Sequence, residues 1–263
     1  MTRRVKRSNA YELTLVIKDD AFIRPPKEMQ RNALLNRAIK EFADDLTALD
    51  RQAREFVPGE LQPGLSMDRK QEKLSDLEIM EDWQIPIMQA MAEVVCDSHG
   101  DVLEIGFGRG ISSTMIQEQK VRSHTIIECN DHVVKQYHAW KAGFPHREIR
   151  LVHGLWQDTI TELDHFDGIF FHTYPLNEGE YMEYVQGSVT FAEHFFATAA
   201  EHLRPNGAFT YFSNEIDSLS RAHQRALLGH FSSFSLKTVS LDLPDDVRDT
   251  WWANSMVVIK AIK

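Results

Sequence analysis

The chain has 263 residues, of which 43% are hydrophobic and 26% charged, so it can bury one sizeable core and its composition does not favour disorder. Its net charge of −10 argues against a nucleic-acid partner, because phosphate binding needs a basic field. Its two cysteines, Cys96 and Cys129, lie in apolar segments expected to be buried, and no apolar run is long enough to span a membrane. We therefore expect a cytoplasmic monomer or homodimer without membrane or nucleic-acid partners, acting on a small-molecule substrate.

The beginning of the chain differs in pattern from the rest. A polar, helix-forming stretch runs from Lys27 to Phe56, and the Pro and Gly residues at positions 58–64 close it. We interpret residues 1–65 as an N-terminal helical extension, or lid, and residues 66–263 as the catalytic domain. Such a lid would exclude water from the reacting atoms.

From Leu77 onwards, short apolar strands alternate with helical spacers, which predicts an α/β fold with a parallel sheet. The last two strand-like runs have only a short connector at Pro244 to Asp249, so we expect them to pair antiparallel. The turn Arg204-Pro205-Asn206-Gly207 precedes the fifth strand. The predicted strands are Val102–Ile105, Thr125–Glu128, Ile149–Val152, Gly168–Phe171, Ala208–Phe212, Phe234–Leu241 and Trp251–Ile259.

A glycine loop follows the first strand, with Gly106, Gly108 and Gly110 just before a helix that begins near Ile111. Such a loop allows the backbone to approach a nucleotide closely. Glu128 ends the second strand, where a carboxylate can accept the ribose hydroxyls of an adenosine. Glu104 would repel a pyrophosphate and attract the ammonium of a methionine moiety, so we favour S-adenosylmethionine over a dinucleotide as cofactor. We predict no metal site.

Several stretches carry a more specific similarity. From about Leu77 to its end the chain resembles guanidinoacetate N-methyltransferase and related arginine-directed enzymes, which implies a Rossmann-like, seven-stranded methyltransferase sheet with an antiparallel C-terminal pair. The resemblance also implies that the cofactor is enclosed by Met80, Met88, the glycine loop with Phe107, Glu128, Cys129, Asn130, Gly154, Leu155 and Trp156. The matching stretches include Met80–Met88, Val102–Gly108, Ile126–Asp131, Gly154–Asp158, Phe166–Ile169, Thr173–Leu176 and Leu203–Gly207.

Two departures from the family pattern bear on the substrate. In the family a Glu follows the Trp of W-x-x-P-x-M and an Asp precedes T-Y-P-L, and both carboxylates hold the guanidinium. This chain has Gln84 and His172 at those positions. A planar cation in a dry site needs anionic acceptors, so we expect guanidinoacetate not to be the substrate.

The altered site suggests roles for four residues. His172 follows the fourth strand and could be a general base for an amine, or could simply bond to the backbone or to the methionine carboxylate. Gln84 can orient a ligand but cannot deprotonate it. Trp83 and Tyr174 belong to a set of aromatic residues that could surround a sulfonium, although most aromatic residues at strand ends belong to the core.

We predict a small-molecule N-methyltransferase with a changed acceptor. One alternative is a lyase or cyclase that uses S-adenosylmethionine alone and releases methylthioadenosine by intramolecular displacement. A second alternative is a non-catalytic cofactor-binding module.

Overall fold

The computed structural model describes residues 74–244, 247 and 251–263. The chain divides into two compact units, one of residues 67–218 with 226–263 and one of residues 1–66 with 219–225. All of the strands among the described residues lie in the first unit. The predicted N-terminal lid and its boundary near residue 65 lie outside the described residues.

A seven-stranded sheet forms the centre of the first unit. Its spatial order is β3-β2-β1-β4-β5-β7-β6; β1 to β5 are parallel to one another, and β7 is antiparallel to both β5 and β6. This confirms the predicted α/β architecture and the antiparallel C-terminal pair. The strands are β1 (Asp101–Ile105), β2 (Ser123–Glu128), β3 (Ile149–His153), β4 (Phe166–Phe171), β5 (Leu203–Tyr211), β6 (Ser233–Ser240) and β7 (Ser255–Ile262).

Short helices connect the strands. The α-helices are α1 (Asp76–Ile79), α2 (Ile85–Cys96), α3 (Ile111–Glu118), α4 (Asp131–Lys141), α5 (Trp156–Thr159), α6 (Glu178–Glu180), α7 (Phe196–His202) and α8 (Arg221–Leu228). Tighter 3₁₀ turns occur at Asp82–Gln84, Ile160–Glu162 and Phe191–Phe195, and one π-helical turn at Tyr181–Gln186. No helix in the described part of the chain is both long and apolar enough to cross a bilayer.

The core lies on both faces of the sheet, because successive side chains of a strand point to opposite sides. Phe170 belongs to the cluster that packs with α2, whereas its neighbour Phe171 stacks on Phe195 at a centroid distance of 4.5 Å. Helix α2 approaches β4 so closely that a Cβ on Gly168 would lie 2.2 Å from the Val95 carbonyl oxygen. This close packing places α2 against the strand that precedes His172.

The predicted turn at 204–207 is a bulge within β5 instead of a break before it. Phe166 pairs with Leu203 and Gly168 pairs with Ala208, so the extra residues protrude from the pairing with β4. Asn206 takes a left-handed φ of 66° there, a conformation that asparagine tolerates better than most residues. The turn predicted before the strand is therefore wrong, because the chain stays within β5, which begins earlier than predicted.

The sheet topology indicates where a ligand can bind. Chain connections run outward from β1 to β2 and β3, and then return to β4 on the other side of β1. In open α/β sheets, ligands bind at the carboxyl ends of the strands where the order reverses. That position is shared by the loops that follow β1, β2, β3 and β4.

Candidate cofactor site

The glycine loop after β1 has a conformation that requires glycine. Gly106, Gly108 and Gly110 have φ values of 90°, 53° and 73°, in the left-handed region. A Cβ on Gly106 would lie 2.3 Å from the carbonyl oxygen of His172, and one on Gly110 would lie 2.7 Å from the Phe107 ring. The loop is therefore closely packed against β4 and leaves its backbone open to a ligand.

Glu128 is held in place by the backbone around it. Its Oε2 accepts hydrogen bonds from the amides of Phe107 at 2.9 Å and Gly108 at 3.4 Å, and its Oε1 accepts from the amide of Asn130 at 2.8 Å. Asn130 in turn caps α4 through its side-chain oxygen. Because Oε1 accepts only one of these bonds, it retains a lone pair for a further donor, as the predicted contact with a ribose hydroxyl requires.

Two cavities open at this edge, and they share a wall formed by Gly106, Glu128, Cys129, Thr173, Tyr174 and Leu176. The glycine-loop cavity measures about 760 Å³ and the Trp156 cavity about 390 Å³. Of the predicted site residues, the glycine-loop cavity adds Met80, Phe107, Gly108, Ile111, Asn130 and His172 to the shared wall. The Trp156 cavity adds Gly154, Leu155 and Trp156.

Five predicted residues do not line either cavity. Gly110 lies at the start of α3, and Met88 is in the core. Trp83 and Gln84 are 5% and 2% exposed, in the turn before α2. The fifth residue, Glu104, is completely buried in β1. The expected direct roles of Trp83 and Gln84 in catalysis stay predictions, since neither residue lines a cavity wall.

Glu104 lies inside the protein and not in a cavity wall. The hydroxyls of Ser112 and Ser113 each donate to its carboxylate at 2.5 Å, and His124 Nε2 lies 3.0 Å from its Oε2. The alternation along β1 directs Glu104 towards the start of α3 instead of beyond the strand end. Its charge is therefore countered by protein groups, and its contact with the methionine ammonium stays a prediction.

Cys129 also differs from expectation. The sequence predicts a buried residue, but β2 ends at Glu128, so Cys129 is partly exposed and lines both cavities. Cys96 is buried as predicted, and the two cysteines form no disulfide. Burial raises the pKa of the Cys96 thiol to about 12, which makes it inert.

His172 lies where the sequence places it, directly after β4 and against the glycine loop. Its amide donates to the carbonyl of Ile105 at 3.1 Å, and its ring stacks on Phe212 at a centroid distance of 5.0 Å. Its Nε2 is shielded from solvent and has no hydrogen-bond partner among the residues that the structure describes. Burial lowers the pKa of His172 to about 4, so the ring is neutral at physiological pH.

Two of the cavity-wall residues that the sequence reasoning missed have basic side chains. Arg109 lines the glycine-loop cavity, and His194 lines the Trp156 cavity. A basic residue between two loop glycines was a visible signal for Arg109. No local signal identifies His194, which reaches the site from the turn before α7 and whose ring contacts Trp156. Burial lowers the pKa of His194.

Comparison with known families agrees with this geometry. The family model described as guanidinoacetate N-methyltransferase matches residues 66–220, more than half of the chain. The chain belongs to the guanidinoacetate N-methyltransferase family. The cofactor of this family is S-adenosylmethionine, and the two adjoining cavities with a carboxylate at their shared wall fit an adenosine joined to an amino acid. Within 74–244, 247 and 251–263 no three His, Cys, Asp or Glu side chains converge as a metal site would require.

Relatives of this family member include protein arginine N-methyltransferase 2 of Yarrowia lipolytica, 30% identical over 146 residues that cover 51% of this chain and 28% of that protein. The protein of the same name in Saccharomyces cerevisiae is 27% identical over 146 residues, covering 51% and 32%. The chain thus spans about a third of the length of these curated relatives. Among solved structures, precorrin-6y C5,15-methyltransferase of Geobacter metallireducens shares the fold, with a TM-score of 0.50 at 14% identity, covering 76% of this chain and 97% of that one.

Proposed function

We propose that this protein transfers the methyl group of S-adenosylmethionine to a nitrogen atom of a small-molecule acceptor other than guanidinoacetate. The observation that carries the proposal is the neutral His172 in the wall of the glycine-loop cavity, at the position where the family has a carboxylate. An uncharged ring suits a neutral amine. It cannot neutralise a guanidinium, and leaving such a cation uncompensated in a dry site costs about 3 to 5 kcal/mol.

Each part of the site would have a separate task. Glu128 would hold the ribose hydroxyls, and the glycine loop would let the backbone approach the amino-acid end. When bound, S-adenosylmethionine supplies an electrophilic methyl group. Because its pKa is near 4, His172 would remove a proton poorly at neutral pH. Its unprotonated nitrogen would accept a hydrogen bond from the acceptor N–H and so orient the lone pair towards the methyl group.

A protein arginine side chain is the second candidate acceptor. It is favoured by the relatives named protein arginine N-methyltransferase 2, which match about half of this chain. Such a substrate would require an anionic partner for its guanidinium, which neither Gln84 nor His172 supplies.

A set of parallel incubations separates these candidates. The protein is mixed with S-adenosylmethionine alone, and then with guanidinoacetate, an arginine peptide or a panel of primary and secondary amines, and the products are read by mass spectrometry. We expect S-adenosylhomocysteine and a methylated product only with an amine. Creatine formation at the rate of an ordinary enzyme would overturn the proposal, and methylated peptide would favour the second candidate. Methylthioadenosine formed from the cofactor alone would indicate the lyase. The absence of turnover with every acceptor would indicate the non-catalytic binding module.

A further inference from the structure

Arg109 lines the glycine-loop cavity, but neither the family resemblance nor the proposed function gives its side chain a role. It lies between two left-handed glycines of the loop, and its Nη1 donates to the carbonyl of Met80 at 3.0 Å and to Asp82 Oδ1 at 2.6 Å. The Arg109 side chain is only 20% exposed, whereas Asp82 is 73% exposed. One edge of the guanidinium is thus anchored by a solvated partner, and the group itself is largely removed from water.

The other edge of this guanidinium is available. Nε and Nη2 of Arg109 donate to no group in the part of the chain that the structure describes. These two atoms form the edge that binds a carboxylate through two parallel hydrogen bonds. Arg109 is also the only Lys or Arg among the described residues that line the glycine-loop cavity.

A second positive feature faces the same cavity. Helix α3 begins after Gly110 without a side-chain cap, so its first amides remain as donors. Ile111 and Ser112, from its first turn, line the cavity together with Arg109. The two carboxylates of this wall have protein partners: Glu128 accepts three amide bonds, and Glu78 accepts from Ser75. The positive charge of Arg109 and of the N-terminus of α3 therefore favours an anion in this part of the cavity.

We propose that Arg109 binds the carboxylate of the methionine moiety of S-adenosylmethionine and so positions the amino-acid end of the cofactor. The inference rests on the cofactor of the proposed function and is independent of the acceptor. It also explains how the site could hold a zwitterionic end although Glu104 is engaged elsewhere. The alternative is that Arg109 only ties the glycine loop to the segment at Met80–Asp82.

The test uses two ligands that differ by one group, S-adenosylhomocysteine and its decarboxylated form, with affinities measured by calorimetry on the whole chain. We expect the unaltered protein to prefer the carboxylate-bearing ligand by about 10- to 100-fold, as for charge-assisted hydrogen bonds. Arg109→Met should abolish that preference while leaving the affinity for the decarboxylated ligand unchanged. Arg109→Lys should retain part of it, because the charge remains.

Two control variants separate binding from architecture. Asp82→Asn keeps the guanidinium but removes its ion pair, and should preserve the preference. Arg122→Met removes an exposed arginine at the other end of the sheet and should change neither affinity. An equal loss for both ligands in Arg109→Met, or no loss for either, would overturn the inference. If the unaltered protein bound neither ligand, cofactor use itself would be refuted. If the incubations found no methyl acceptor but the ligand preference held, the assignment of Arg109 would stand.

Discussion

The two ends of the parallel strands use their charged residues differently. At the amino end, Arg122 forms two hydrogen bonds with Asp101, and Arg204 lies 2.7 Å from Asp167 and 2.9 Å from Asp101. At the carboxyl end, His172 Nε2 is shielded and has no partner within the described ranges. The amino end pairs its charges with one another, which favours stability, whereas the carboxyl end leaves polar groups for a ligand. Variants at the two ends should therefore affect different measurements.

The largest effect is expected from Gly106→Ala. An alanine there would adopt a left-handed φ, at about 1 to 3 kcal/mol, and would also meet the backbone of His172 at 2.3 Å. Because backbone cannot move aside easily, we expect the affinity for S-adenosylhomocysteine to fall by more than about 100-fold. Gly143→Ala is the control, since Gly143 is exposed and its nearest atom lies at 3.3 Å. Equal affinities for the two variants would contradict the role of the loop.

Glu128→Ala should have the next largest effect. It removes the predicted ribose contact and leaves the amides of Phe107 and Asn130 without their acceptor. We expect cofactor affinity to fall by about 1 to 3 kcal/mol in calorimetry, with a lower melting temperature. Glu148→Ala, at an exposed position before β3, should change neither. Unchanged affinity in the Glu128 variant would remove this residue from the site.

Asp101→Asn should reduce stability without affecting the cofactor. Hydrogen bonds from Arg122 hold the pKa of Asp101 well below its usual range. We expect a loss of about 1 to 3 kcal/mol in the free energy of unfolding at pH 7. A lowered carboxyl pKa stabilises the protein above the unfolded value, so the difference between the two proteins should shrink as pH falls below about 4. A weaker cofactor affinity in this variant would show that the two ends are coupled.

The smallest effect concerns His172 and pH. Since burial lowers its pKa to about 4, the unfolded chain binds a proton between about pH 6.5 and 4 and the folded chain does not. This histidine should therefore lower stability as pH falls through that window, by on the order of 1 kcal/mol near pH 6. His172→Asn should flatten the dependence in urea titrations at several pH values. A dependence that persists in the variant would assign it to other groups.

Local patterns predicted most of the fold. The alternation of apolar runs and spacers located all seven strands, although β7 begins at Ser255 and not at Trp251. The helix predicted over 189–203 is a 3₁₀ turn followed by α7. Boundaries were less accurate because they depend on pairing: β5 starts at Leu203 since Phe166 pairs with it across the bulge.

The sequence by itself determined the glycine loop, the carboxylate at the end of β2 and the histidine after β4, because these depend on residue types at strand ends, where a parallel sheet brings its loops together. Only the tertiary structure decided which side chains face the cavities. The direction of Glu104 depends on the hydroxyls of Ser112 and Ser113, and the position of Arg109 on acceptors at Met80 and Asp82. Those partners are distant in the chain, and a one-residue shift in register would exchange the faces of a strand, so no local pattern encodes them.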